Sequence, residues 1–290
     1  MTAAIEPASI EPATIEHVSS GGIAFARAGV GTGGRPLVLL HGIGSNARSF
    51  ARMMSILAPD RMVVAWDAPG YGASEPLALD WPSADDYAAA LDALLDRLGI
   101  ETIDLMGHSL GALVAARYAS SDALRNQRRV NRLILASPAL GYGTRPGDPL
   151  APAAANRLQA FLDEGGERFA ATRGPRLVHA RGDAGLVASV VKAMSEVKLP
   201  GYRQASRMLS TGSLLADCKG ITIPTLVLVG SDDEITPPAN CRRAFDALPP
   251  AESQLAHRFE LVPAAGHAVP QEKPVEVAHL VSEFAPAARA

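Results

Sequence analysis

The sequence predicts an α/β fold, a mostly parallel sheet with helices on both faces, interrupted by a helical insertion. Three observations predict it. Short apolar runs rich in Val, Ile and Leu alternate with helical patterns, as buried parallel strands and their crossovers do. The alternation stops between about Tyr142 and Asp217, where helical patterns follow one another without a strand. Glycine-rich and acidic turns stand directly after several strand candidates, where open α/β sheets keep their functional loops.

The strands are expected at Leu37–Leu40, Met62–Trp66, Thr102–Met106, Leu133–Ala136, Thr225–Val229 and Phe259–Val262. Between them, Asp85–Leu98 sets Tyr87, Leu91, Leu94, Leu95 and Leu98 along one helical face, and Gly99 marks its end. Leu110–Tyr118 and Pro238–Leu248 are further helices. Within the insertion, residues 142–217, the helices are Ala151–Glu164, Ala184–Val197 and Tyr202–Leu209, separated by Gly and Pro. An insertion over the strand ends would form a lid above a ligand site. The α/β core is then 20–141 and 218–290. Residues 1–19 read as a flexible leader. In it Ile5-Glu6-Pro7-Ala8-Ser9 is echoed by Ile10-Glu11-Pro12-Ala13-Thr14, and prolines at that spacing prevent a regular helix.

Composition narrows the partners. A net charge of −3 over 290 residues gives no electrostatic reason to expect nucleic acid or an acidic membrane. Arg125, Arg128, Arg129 and Arg132 cluster, but without interleaved aromatics they read as a solvated helix end. Cys218 and Cys241 lack metal-ligand or C-x-x-C spacing and read as unpaired thiols of a reducing compartment. The N-terminus has no basic and apolar signal pattern, and no apolar run is long enough to span a bilayer. A cytoplasmic protein acting on a small-molecule substrate is expected, with neither nucleic acid nor membrane as partner. The sequence is compatible with a homo-oligomer.

The strongest chemical signal is Gly107-His108-Ser109-Leu110-Gly111, between a strand and a helix. A turn that tight leaves no room for side chains two residues before and after the serine, so both positions are glycine. The serine hydroxyl then projects above the sheet, close to a helix N-terminus that favours developing negative charge. A serine hydroxyl is a poor nucleophile without a base. His267, in the loop after the last strand candidate, has the position for one, whereas His17, His179, His257 and His279 do not. The base needs a carboxylate to fix its tautomer. Gly230-Ser231-Asp232-Asp233 follows another strand and offers two. A fourth piece, His41-Gly42-Ile43-Gly44, follows Leu37–Leu40. There the backbone N–H groups of Ile43 and Leu110 can meet a carbonyl oxygen, while His41 shapes the loop.

With these pieces in the order Ser, Asp, His, the chain resembles the α/β-hydrolase family from about Ser20 onward, with the insertion as its cap domain. Asp67-Ala68-Pro69-Gly70-Tyr71-Gly72-Ala73-Ser74 is similar to the family's structural D-x-x-G-x-G-x-S turn. The family's G-x-x-D pattern implies Asp233, not Asp232, as the acid. The chain looks most like small bacterial cap-bearing esterases, meta-cleavage product hydrolases and 3-oxoadipate enol-lactonases of aromatic degradation. It departs from the meta-cleavage hydrolases in having Ala268, not tryptophan, after His267, and Ser45-Asn46 after Gly44. The resemblance implies a serine hydrolase. It would cleave a small carboxylic ester or related carbonyl substrate through an acyl-enzyme, with no metal or organic cofactor. The catalytic residues would be Ser109, Asp233 and His267, with an oxyanion hole at Ile43 and Leu110. The alternatives are a carbon–carbon bond hydrolase or enol-lactonase, a cofactor-free haloperoxidase-like or lyase activity, and a non-catalytic binding protein. Arg173, Arg176, Arg181, Arg203 and Arg207 of the insertion could hold a substrate carboxylate.

Overall fold

In the computed structural model, residues 14–29, 34–121, 129–180, 183–251 and 256–287 are described. Most of the expected leader, with Arg125, Arg128 and Arg181, lies outside them. The chain enters the sheet earlier than Ser20, because Glu16–Ser20 (β1) and Ile23–Ala28 (β2) form a hairpin. Neither strand carries the expected signal. Residues of β1 are almost all exposed and polar, and β2 is half alanine, a poor strand former.

The other strands fall where the apolar runs predict them, with ends shifted by a few residues. They are Leu37–Leu40 (β3), Val63–Trp66 (β4), Ile103–His108 (β5), Val130–Ala136 (β6), Thr225–Gly230 (β7) and Arg258–Val262 (β8). Together they make an eight-stranded sheet in the order β1-β2-β4-β3-β5-β6-β7-β8. Pairing is parallel from β4 across to β8 and antiparallel at the β1–β2 edge.

Each central strand is buried on both faces, and alternate residues serve separate cores. Val38, Leu40, Leu105, Leu133, Leu135, Val227 and Val229 face one side, where Ala84–Arg97 (α2), Leu110–Ser120 (α3) and Pro238–Asp246 (α8) cover them. Leu37, Leu39, Met106, Ile134, Leu226 and Leu228 face the other, under Ala51–Leu57 (α1), Val269–Glu272 (α9) and Pro274–Phe284 (α10). The register brings Leu40 level with Gly107, His108 with Ala136, and Gly230 with Val262. The loops after β3, β5, β7 and β8 therefore leave the sheet along one edge.

The segment between β6 and β7 is helical, as expected, but its helices differ in extent. Pro152–Arg173 (α4) has two helical halves joined at Gly165, whose φ of 74° and ψ of 162° are not helical, so the first half ends at Glu164, as the sequence predicts. Ala184–Ser195 (α5) and Leu199–Thr211 (α6) follow, and a short helix, Leu214–Cys218 (α7), packs against the main core. Backbone meets backbone where α6 rests on the turn after β4: a side chain on Gly70 would press on Gly201, and one on Gly201 would overlap Gly70. Among the described residues no helix is long and apolar enough to cross a membrane.

One buried ion pair anchors the start of β5, the strand that ends in Ser109. Asp104 is fully buried and pairs with Arg61, itself 2% exposed. Arg61 also donates from Nη1 to the Ala285 carbonyl at 2.8 Å and from Nε to Arg35 O at 2.8 Å. Deleting one partner leaves the other charge buried and uncompensated. Asp104→Ala should therefore lower unfolding free energy by about 3–5 kcal/mol, read from urea denaturation. A loss below about 1 kcal/mol, the range of an exposed pair, would contradict this role.

Candidate active site

Ser109 sits at the junction of β5 and α3 with φ 53° and ψ −113°, a conformation side chains rarely adopt. Holding a non-glycine residue there costs about 1–3 kcal/mol, and persists only where the surroundings fix it. Here they do. Ser109 N–H donates to Ala136 O at 2.9 Å, and Ser109 O accepts from Ala112 and Ala139 N–H, both at 3.1 Å. The glycines on either side are sterically required: a Cβ on Gly107 would overlap the Gly111 carbonyl, and one on Gly111 would overlap the Leu40 carbonyl. Gly42 is equally tight, since its Cβ would lie 2.8 Å from Ser109 Cβ.

The turn aims Ser109 at His267. Oγ lies 2.9 Å from His267 Nε2, and His267 Nδ1 lies 2.9 Å from Asp233 Oδ2. A carboxylate carries no proton, so the Nδ1–H donates to Asp233 and Nε2 is left to accept the Ser109 hydroxyl. All three residues are buried. Asp233 Oδ1 accepts the Ile235 and Thr236 amides, both at 2.8 Å. Burial alone would raise its pKa, but the neighbouring His267 and these hydrogen bonds outweigh it and hold the carboxyl at about 2. Asp232 faces outward and takes the Ser231 hydroxyl at 2.6 Å. The structure thus brings Ser109, His267 and Asp233 together, and leaves Asp232 out.

Ile43 lines the cavity beside Ser109, and Leu110 is the first residue of α3, where an N–H has no carbonyl within its own helix to bond. His41 is structural, as expected: Nδ1–H donates to Gly42 O at 2.8 Å, and Nε2 accepts Ala68 N–H at 2.9 Å. That bond ties the loop after β3 to the Asp67–Ser74 turn. The turn is itself closed by Ser74 Oγ, which accepts from Ala24 N–H at 2.8 Å and donates to Asp67 O at 2.6 Å.

Two contributors escaped the sequence reading. Thr236 Oγ1 lies 2.9 Å from Asp233 Oδ2 and 3.0 Å from Ser137 O, bridging two loops. Its signal was present as a hydroxyl three residues after the acid, the spacing of a capping turn. His108 Nε2–H donates to His267 O at 2.8 Å. Burial, with His267 nearby, lowers its pKa to about 3, so it stays a neutral donor that holds the His267 backbone.

A cavity of about 250 Å³ opens above Ser109. The sheet contributes Gly42, Ile43, His108 and His267, and the insertion contributes Phe169, Arg173, Arg176, Val190, Met194 and Tyr202. Of the arginines picked out from sequence, Arg173 and Arg176 reach it. Arg207 instead pairs with Asp80 and stacks over Trp81, and Arg203 is not among the lining residues. Arg157, not singled out from sequence, also lines it. The basic cluster is partly neutralised, since Arg129 pairs with Asp92 and Asp96. Cys218 and Cys241 are both buried and unpaired.

The model of the alpha/beta hydrolase family matches residues 37–280, from β3 into α10. The chain belongs to the alpha/beta hydrolase family. Among curated relatives, it is 31% identical over 259 residues to the dihydrolipoyllysine-residue acetyltransferase component of the acetoin cleaving system of Pseudomonas putida. That match covers 85% of this chain and 62% of the relative, so this chain spans under two thirds of that protein. It is 29% identical to the pimeloyl-[acyl-carrier protein] methyl ester esterase of Photobacterium profundum, covering 87% of this chain and 94% of that one. Among solved structures, the enol-lactonase from Burkholderia xenovorans LB400 superposes with a TM-score of 0.77 at 22% identity, covering 93% of this chain and 99% of that one. The last is a likeness of fold.

The state of Asp233 gives this chain an acid-sensitive contribution to stability. A carboxyl held at about 2, below its ordinary 3.8, stabilises the folded state at pH above 3.8 and loses that contribution as pH falls toward 2. The contribution amounts to about 2 kcal/mol. Asp233→Asn should therefore unfold at lower urea than wild type at pH 7, with the gap narrowing between pH 4 and pH 2. A gap independent of pH would contradict the assignment.

Proposed function

We propose that the protein is a serine hydrolase that cleaves a small carboxylic ester through an acyl-enzyme. One observation carries the reading: a buried chain of hydrogen bonds from Asp233 through His267 to a strained Ser109 at the floor of a partly enclosed cavity. The full-length likeness to a methyl ester esterase supports it.

In this reading the ester carbonyl enters between the insertion and the sheet, and its oxygen meets the amides of Ile43 and Leu110. Ser109 Oγ attacks the carbonyl carbon while its proton passes to His267 Nε2. Asp233, ionised across the physiological range, stabilises the imidazolium and keeps the ring from turning. The amides stabilise the tetrahedral oxyanion, each worth about 10²–10³ in rate. Collapse breaks the bond to the alcohol, which takes the proton back from His267 as it leaves. A water then repeats the steps on the acyl-Ser109 and releases the acid. The serine's conformation is prepared before substrate arrives, so no reorganisation is needed at the moment of reaction.

The cavity volume sets the scale of the substrate at a small or medium molecule, not a polymer. Hydrolysis of p-nitrophenyl esters from acetate to decanoate tests the reading, with Ser109→Ala alongside. The wild type should turn over short esters best, and Ser109→Ala should lose about 10⁴–10⁶ in kcat. A wild type inactive on every ester would overturn ester hydrolysis. Equal activity of the variant would overturn Ser109 as nucleophile.

A further inference from the structure

Three arginines line the cavity above Ser109. Arg157 and Arg173 of α4 and Arg176 of the turn that follows all line it. Among the described residues none of the three is paired with a carboxylate, although elsewhere this chain pairs its arginines freely, as at Arg61, Arg117, Arg129 and Arg207. Glu164 acts on Arg173 only through space, and its own Oε2 is buried without a hydrogen-bond partner.

Leaving three like charges together around a partly closed space is costly. Like charges repel, and the half-buried Arg157 and Arg173 give up water without gaining a carboxylate partner. The cost falls most clearly on Arg173: burial disfavours its charge, Arg157 and Arg176 add to the penalty, and Tyr202 and Glu164 offset only part of it. Its position is nonetheless fixed. The guanidinium lies 4.9 Å above the Phe169 ring, and Phe169 packs edge-on against Phe161 at 5.3 Å and Tyr202 at 5.6 Å. Cations held at the wall of a cavity, in ion-pair contact with no carboxylate among the described residues, are arranged for an anion that arrives with the substrate.

We propose that Arg157, Arg173 and Arg176 form a carboxylate-binding subsite, and that the substrate is a half-ester of a short dicarboxylic acid. This names the substrate class of the serine-hydrolase reading and rests on it for where the scissile carbonyl sits. The free carboxylate is held by the guanidiniums of the insertion while the ester carbonyl reaches Ser109. A planar carboxylate suits the two-pronged donor geometry of arginine, and the apolar Val190 and Met194 beside it suit a methylene chain between the two ends.

The test compares mono-p-nitrophenyl esters of succinate, glutarate and adipate with the same diesters carrying a neutral methyl ester at the other end. Wild type should prefer the best anionic ester by about 10- to 100-fold in kcat/KM, the worth of charge-assisted hydrogen bonds. Arg173→Gln should reduce that preference at least about tenfold. Arg176→Gln, at a more exposed position, gives a second reading should Arg173→Gln fail to fold. Calorimetric titration of wild type with free glutarate and adipate, and with inorganic phosphate, is independent of turnover. Dicarboxylate binding that weakens in the arginine variants supports the subsite even if no ester is cleaved, in which case only the hydrolase reading falls. Ester turnover with no anionic preference, or a preference unchanged by both variants, overturns the subsite and leaves the hydrolase reading standing. Phosphate binding as tight as dicarboxylate binding would overturn carboxylate as the group recognised.

Discussion

The turn at Ser109 is the constraint on which the rest of the structure depends. To project a side chain from the end of a parallel strand, the backbone must reverse into a helix within one residue. That reversal puts Ser109 at φ 53° and brings Gly107, Gly111 and the Leu40 carbonyl into contact with no room for a side chain between them. The strain is held by backbone hydrogen bonds to Ala136, Ala112 and Ala139, so it is shared between β5, β6 and α3. Both cores on the two faces of the sheet hold those three elements in place. A well-packed interior does not relax continuously, so the position of Ser109 is inherited from the whole sheet.

The same sheet register delivers the partners. Because Leu40, Gly107 and Ala136 sit nearly level, and Gly230 pairs with Val262, four loops leave along one edge and need only short paths to meet. Backbone contacts then lock them to one another. His108 holds the His267 carbonyl, Thr236 spans Asp233 and Ser137, and His41 joins the loop after β3 to the turn after β4. Even the insertion is tied in, through Ala268 N–H to Leu177 O at 2.8 Å. His267 therefore sits between sheet and insertion, and a change in either reaches it.

Much of this was legible in the sequence because the constraints are local. Parallel strands buried on both faces must be largely apolar runs, as β3 and β4 are throughout and β5, β6 and β7 are over most of their length. Glycine on both sides of a serine between a strand and a helix has a steric cause that can be read directly. What was missed depends on distant partners. The edge strand β1 has no apolar face, and β2 is alanine-rich, so pairing rather than pattern makes them strands. The second half of α4, beyond the non-helical Gly165, carried no separate signal, and it is packing that joins the halves, Phe161 and Phe169 both lying on Tyr202. Arginines are the extreme case. Sequence counted them in the insertion, but only packing decides that Arg173 and Arg176 face the cavity, that Arg207 is taken by Asp80, and that Arg157 joins them.

The central claim is that the fold makes Ser109 nucleophilic through His267, and it is most directly tested by covalent capture. Intact protein should be treated with a fluorophosphonate and the modified residue located by peptide mass spectrometry, for wild type and His267→Ala. The account predicts one adduct, on Ser109, formed at least about 10³-fold faster in wild type than in the variant. Modification at another residue, or equal rates in both proteins, would contradict it.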